Sequence, residues 1–131
     1  MTRHAYLAQY RTVRAAEADA DPHRVVAMLL AGVIEQVRRA GAAIEQLDRG
    51  TKIDAIGRAL DILDGLRLSL DHQAGGDIAA GLESLYEYAA MRIVEANLGD
   101  DRERLHEVAR LLGEIESAWL AIPADARAVS P

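Results

Sequence analysis

Apolar residues recur along this chain at alternating steps of three and four, the period that gathers side chains on one side of an α-helix. The most sharply bounded stretch runs from Gly75-Gly76 to Asn97. The two glycines interrupt what precedes them and Asp77 is placed to cap a new helix. Ile78, Leu82, Leu85, Ala89, Ile93 and Ala96 then mark one face. Gly99 suits a left-handed C-cap, and Asp100 with Glu103 three residues later has capping-box spacing, so another helix starts almost at once. Two helices joined that tightly lie antiparallel.

The pattern extends in both directions. Asp21-Pro22 predicts a helix start, with the carboxylate as cap and the proline where its missing donor costs nothing. Val26, Leu30, Val33, Val37, Ala40, Ile44 and Leu47 follow as a seam that closes over residues 48–50. Thr51 is the expected cap of the next helix. Its inward face is Ile53, Ile56, Leu60, Leu63, Leu66 and Leu70, and Asp54 and Arg58 are spaced to pair on its surface. The last helix carries Leu105, Val108, Leu112, Ile115, Trp119 and Ile122, with Trp119 on the buried seam, and stops at Pro123. The chain therefore reads as all-α, an antiparallel up-down-up-down four-helix bundle over residues 21–123. A short N-terminal helical arm over residues 1–20, with Tyr6, Leu7, Tyr10 and Val13 on one side, precedes it, and a flexible tail over residues 124–131 follows.

Composition narrows this picture. A chain of 131 residues with one hydrophobic pattern is a single domain able to bury roughly two-thirds of its unfolded surface. Half of the residues are hydrophobic, yet Tyr6, Tyr10, Tyr86, Tyr88 and Trp119 are its only aromatics, so the core must be built of Leu, Ile, Val and Ala. The absence of cysteine excludes disulfides, thiol catalysis and cysteine-ligated zinc. Met1-Thr2-Arg3-His4 opens no apolar signal core, and no apolar run approaches about 18 residues. The expectation is a soluble cytoplasmic protein with no membrane insertion. The net charge is −6, unevenly spread: residues 1–40 hold six arginines and four acids, residues 41–131 nine basic and seventeen acidic residues. The arginines at 3, 11, 14, 24, 38 and 39 are scattered and form no patch, so no nucleic-acid partner is expected.

Candidate chemistry is sparse. Glu103-x-x-His106 has the ligand spacing of carboxylate-bridged metal bundles, but it opens its helix and has no second copy, so no metal site is expected. His4, His23 and His72 fall in the arm or at helix ends, and no glycine-rich phosphate loop follows a strand. Asp100-Asp101, and Asp61 with Asp64, fit capping and solvation. Neither catalysis nor a cofactor is expected. Gly32, Gly41, Gly57, Gly65, Gly81 and Gly113 fall inside helices at up to ~1 kcal/mol each relative to alanine. Close helix contact, an exposed face or shallow grooves each account for them. Apolar residues also exceed the seams: Val25, Leu29 and Ile34 in the first helix, Ile62 in the second, Tyr86, Ala90 and Val94 in the third, Leu111 and Ala118 in the fourth. Wide core-facing stripes absorb most of these; the remainder suits grooves for a partner helix.

An ordered motif string now becomes specific. Gly75, Gly76, Ile78, Ala79, Leu82, Leu85, Tyr86, Tyr88, Arg92, Ala96, Asn97, Asp101, Leu105, Glu107, Val108, Leu111, Leu112 and Trp119, with Pro22, Met28, Leu29, Gly32, Ile34, Ala59, Leu70 and Asp71 upstream, resemble the FliS family of flagellar secretion chaperones over residues 20–120. Three departures stand out. Asp21-Pro22 replaces the family's Ser-Pro and keeps the capping chemistry, whereas Leu30-Ala31 replaces Tyr-Asp and removes a hydroxyl and a carboxylate. The spacing from Tyr10 to Pro22 is about two residues longer.

The resemblance implies a cytoplasmic chaperone that binds the disordered C-terminal segment of flagellin. It would prevent premature polymerisation and deliver the segment to the flagellar type III export apparatus. With the off-seam apolar set, it makes Tyr6, Leu7, Tyr10, Ile62, Tyr86, Ala90, Val94 and Leu111 the expected flagellin-binding residues. Tyr6, Leu7 and Tyr10 would cover part of the groove until the client displaces them. The competing expectation is a non-enzymatic, self-associating helical adaptor or regulatory protein that uses the same apolar surplus to form a homodimer.

Overall fold

The computed structural model of the protein describes residues 21–123 and residue 126. Tyr6, Leu7, Tyr10 and the whole arm of residues 1–20 lie outside the described residues, as does most of the tail at 124–131. Four helices follow one another: α1 (Pro22–Glu45), α2 (Arg49–Leu68), α3 (His72–Gly99) and α4 (Arg102–Leu120). Connections of two or three residues force each helix to run antiparallel to the one before it. α1 packs against α2 and α4, and α3 against the same two, so the ring closes with α1 and α3 at opposite corners. α1 is the more closely packed of that pair.

Helix termini follow the capping residues, with shifts that only the local geometry reveals. Asp21 caps α1 as expected, accepting from Arg24 N at 3.3 Å. α2 is capped by Asp48, not Thr51. The Asp48 carboxylate takes both the backbone N–H (3.1 Å) and the hydroxyl (2.7 Å) of Thr51, so the helix begins two residues before that threonine. These bonds also hold the Asp48 carboxyl below its ordinary pKa. Leu47, just before, adopts a left-handed conformation with φ 58°. α3 is capped by Asp71, not Asp77, through the amides of Gln73 and Ala74. The glycine break is nonetheless present: Gly76, at φ 50° and ψ −123°, separates one turn at 72–75 from the long helical run of 77–99. A side chain there would be strained whatever the space around it.

At the α3–α4 corner the left-handed residue is Asp100 (φ 50°), not Gly99, and the cap of α4 is Asp101, which accepts from Arg104 N at 3.2 Å. Lys52 supplies the reason. Its ammonium, on a largely buried side chain, lies 2.6 Å from Asp100 Oδ1 and 3.3 Å from the Asn97 carbonyl, and aspartate tolerates the left-handed region better than most residues. The expected Asp54–Arg58 pair forms at 2.9 Å, and Arg39 of α1 joins it at 2.8 Å, tying α1 to α2. The Arg39 bond is the main reason the Asp54 carboxyl titrates below its ordinary value.

The core matches the expected composition but not every expected face. Leu30, Val33, Val37 and Ala40 of α1 are buried, and so are the off-seam Val25, Leu29 and Ile34, because a helix clasped on two sides needs a wide apolar stripe. α2 is rotated from expectation: Ala55, Ala59 and Ile62 point in beside Ile56, Leu63 and Leu66, while Ile53 is exposed. α3 turns Ala79, Tyr86, Ala89, Ile93 and Ala96 inward and leaves Ile78 and Leu85 exposed. Ala40, Ala89 and Ala96 are buried as expected, whereas Ala55, Ala59 and Ala79, outside the expected seams, also let neighbouring helices approach. Close approach does not explain the glycines at 41, 57, 81 and 113, where an added Cβ would meet nothing within 4 Å.

Trp119 is half-buried at the edge of the core rather than fully enclosed. It stacks on His23 with ring centroids 4.8 Å apart and planes 9° from parallel. Its indole N–H donates to the His23 carbonyl at 2.9 Å, and His23 Nε2 lies 2.7 Å from the Trp119 carbonyl. This two-way clasp joins the first turn of α1 to the last turn of α4 and explains why His23 is buried at a helix end.

Candidate functional site

α3 carries the exposed apolar surface. Six of the eleven large hydrophobics that stand exposed among the described residues are on it, namely Ile78, Leu85, Tyr88, Met91, Val94 and Leu98. Ile78 is 69% exposed and Leu98 83%. Met91, Val94 and Leu98 follow at steps of three and four on the side away from Ala89, Ile93 and Ala96, which gives α3 an apolar back as well as an apolar front.

The two flanks of α3 differ. Towards α2 lies an open groove of about 270 Å³ lined by Leu60, Leu63, Asp64 and Arg67 of α2 and by Tyr86, Glu87 and Ala90 of α3. Its floor is apolar and its rim charged, with Arg67 paired to Asp64 at 2.8 Å and His72 to Glu83 at 3.2 Å nearby. Val94 stands one turn beyond Ala90 and continues the groove's apolar line along α3.

Towards α4 the seam is closed by a polar network. Glu107 accepts from Tyr88 Oη and Arg92 Nε, each at 2.9 Å, and from Arg92 Nη2 at 3.4 Å. Arg92 also reaches Glu95 at 3.3 Å and lies 5.9 Å from the centre of the Tyr88 ring. The Arg92 and Tyr88 bonds pull the Glu107 carboxyl below its ordinary pKa, and the same carboxylate raises the pKa of the Tyr88 phenol. A second cleft, of about 290 Å³, sits at the end of the bundle between the α1–α2 and α3–α4 corners, with Leu47 and Leu98 beside the paired Lys52 and Asp100.

The residues expected from the sequence are thus divided. Tyr86 and Ala90 line the α2–α3 groove and Val94 extends it, whereas half-buried Leu111, one turn after Glu107 on α4, sits across α3 from them. Ile62 does not face outward at all; it is 1% exposed within the core. Tyr86 is 3% exposed, so its ring belongs to the core and only its edge reaches the groove. Asp61 is buried rather than solvated. Leu60 and Leu63, assigned inward from the sequence, are also groove residues, and Glu87, Met91 and Leu98 were missed. The spacing 91, 94, 98 is the signal that would have found the second apolar face of α3.

Glu103 and His106 are both exposed at the start of α4, and among the described residues no group of three or more His, Asp or Glu is placed to hold a metal ion. No helix among them is long and apolar enough to cross a membrane.

These features define an all-α four-helix bundle whose exposed apolar side chains concentrate on one helix flanked by unlike seams. The chain belongs to the FliS family: the model of the flagellar protein FliS matches residues 3–126. It is 40% identical over 111 residues to the flagellar secretion chaperone FliSB of Pseudomonas aeruginosa, covering 85% of this chain and 88% of that one. It is 41% identical over 104 residues to the flagellar secretion chaperone FliS of Vibrio cholerae (79% and 76% of the two chains) and 38% over 112 residues to that of Salmonella typhimurium (85% and 83%).

Proposed function

We propose that this protein is a cytoplasmic flagellar secretion chaperone. It binds the disordered C-terminal segment of flagellin, keeps it from polymerising early and delivers it to the flagellar type III export apparatus. The observation that carries this reading is the apolar surplus of α3, Met91, Val94 and Leu98 with the groove at Ala90, on a chain of the FliS family. A disordered segment that folds as an amphipathic helix would cover this surface, and the same surface would shield the segment's own apolar stripe. Residues 1–20, with Tyr6, Leu7 and Tyr10, are the proposed arm that covers part of the site before the client arrives.

Titration calorimetry with the flagellin C-terminal segment tests the reading. Ordering and burying such a segment should give a clearly negative heat-capacity change, as burial of roughly 1,000–3,000 Å² requires. The double variant Ala90→Arg, Val94→Asp should weaken binding at least about 100-fold, roughly 3 kcal/mol. Its helical signal should stay near wild type, since Val94 is exposed and Ala90, partly buried at the core's edge, opens onto the groove. No heat with the wild type at several temperatures, or unchanged affinity in the variant, would overturn the reading. A mass that stays dimeric with and without the segment would favour the self-associating adaptor instead.

A further inference from the structure

A peptide entering the α2–α3 groove meets charge as well as apolar surface. Leu60, Leu63, Ala90 and the Tyr86 edge form the floor, and Asp64, Arg67 and Glu87 stand on the rim. The rim's one cation is committed, because Arg67 Nη2 lies 2.8 Å from Asp64 Oδ1. Glu83, one turn before Glu87, is occupied by His72. Glu87 itself is exposed and makes no hydrogen bond or ion pair with any described residue. Asp64, Glu83 and Glu87 set three carboxylates against the single guanidinium of Arg67 at the groove mouth, and they hold that guanidinium above its ordinary pKa, Asp64 through its hydrogen bond first. The chain's net charge of −6 has the same sign.

From this arrangement we infer that the α2–α3 groove takes an amphipathic helical segment carrying a lysine or arginine within one turn of its apolar anchors, and that Glu87 is the residue that selects it. The inference rests on the reading of this surface as a client groove and adds the chemistry of the segment. Glu87 lies one turn before Ala90, so a basic side chain flanking an anchor seated on Leu60 and Ala90 projects towards a carboxylate whose nearest cation, Arg67, is bound to Asp64. A cation elsewhere on the segment faces solvent, and an acidic residue at that position is repelled.

Two synthetic amphipathic peptides with identical leucine positions, one flanked by lysines and one by glutamates, test this against the full chain at low and high salt. The lysine peptide should bind about tenfold more tightly than the glutamate peptide, with the difference shrinking as salt screens a partly exposed pair. Glu87→Gln should cost the lysine peptide about threefold to fivefold, and Glu87→Lys should reverse the preference, with melting midpoints unchanged because Glu87 is exposed. Equal binding of the two peptides, binding of neither, or a preference that survives Glu87→Lys overturns the inference. If the flagellin segment binds wild type and Glu87→Lys equally, the selection by Glu87 falls and the chaperone reading stands. If the lysine peptide shows the Glu87-dependent preference while the flagellin segment gives no heat, the flagellin reading falls and the groove chemistry stands.

Discussion

Tyr86→Asp is expected to unfold the bundle rather than merely remove a partner contact. Tyr86 is nearly enclosed within the core cluster beside Ala89 and Ile93, and burial pushes its phenol pKa up to about 12. An aspartate there would bring a charge, or a carboxyl group without its hydrogen bonds, into a site shaped for an aromatic ring. The lost packing and the desolvation together should exceed about 4 kcal/mol, a large part of the 5–15 kcal/mol typical of a folded domain. Urea melts followed by circular dichroism decide it. A variant with a wild-type midpoint would place Tyr86 on the surface. Tyr86→Phe, which keeps the ring, should stay within about 1 kcal/mol of wild type.

The same burial predicts a pH dependence. Because the folded-state pKa is raised, the stability owed to a neutral Tyr86 is fully present below the ordinary value of about 10 and is lost as pH rises through about 12. A rise of that size corresponds to roughly 2–3 kcal/mol, and Tyr86→Phe should lack this part of the alkaline loss.

Trp119→Ala should cost about 2–4 kcal/mol, less than the 3–5 kcal/mol of a fully enclosed aromatic because Trp119 is only half-buried. Three losses combine: packing against the core edge, the stack on His23, and the indole donor to the His23 carbonyl. Trp119→Phe keeps much of the packing and should lose about 1 kcal/mol, since the partly buried His23 carbonyl loses that donor. His23→Ala and Trp119→Ala share only the ring stack, because each side chain's hydrogen bond runs to the other residue's backbone carbonyl, so a double-mutant cycle should show a coupling of about 0.5–1.5 kcal/mol. Additive losses would mean that the stack contributes nothing, and a cost below about 0.5 kcal/mol for Trp119→Ala would mean that the clasp between α1 and α4 does not hold the bundle's end together.

The sequence by itself determined that there would be four helices, where they would run and that they would alternate in direction. Periodicity, Asp21-Pro22, the glycine pair at 75–76 and the short connections are local signals, and local steric and hydrogen-bonding rules are enough to read them. The Asp54–Arg58 pair was legible for the same reason, since four residues along a helix already places two side chains together. The FliS motif string was likewise legible, being an ordered set of residue types.

Tertiary structure alone decided how far each helix turns about its own axis. Ile62 and Tyr86 went into the core and Ile53, Ile78 and Leu85 went out, because Ala55, Ala59 and Ala79 let a neighbour approach on faces that a count of large residues ranks low. The corner at Asp100 depended on Lys52, 48 residues away in the chain, and the burial of His23 depended on Trp119, 96 residues away. The split between an open α2–α3 groove and an α3–α4 seam tied by Arg92, Tyr88 and Glu107 arises in the same way. A hydrophobic period defines a stripe on a cylinder but not the cylinder's neighbours, and it is the neighbours that separate core from groove.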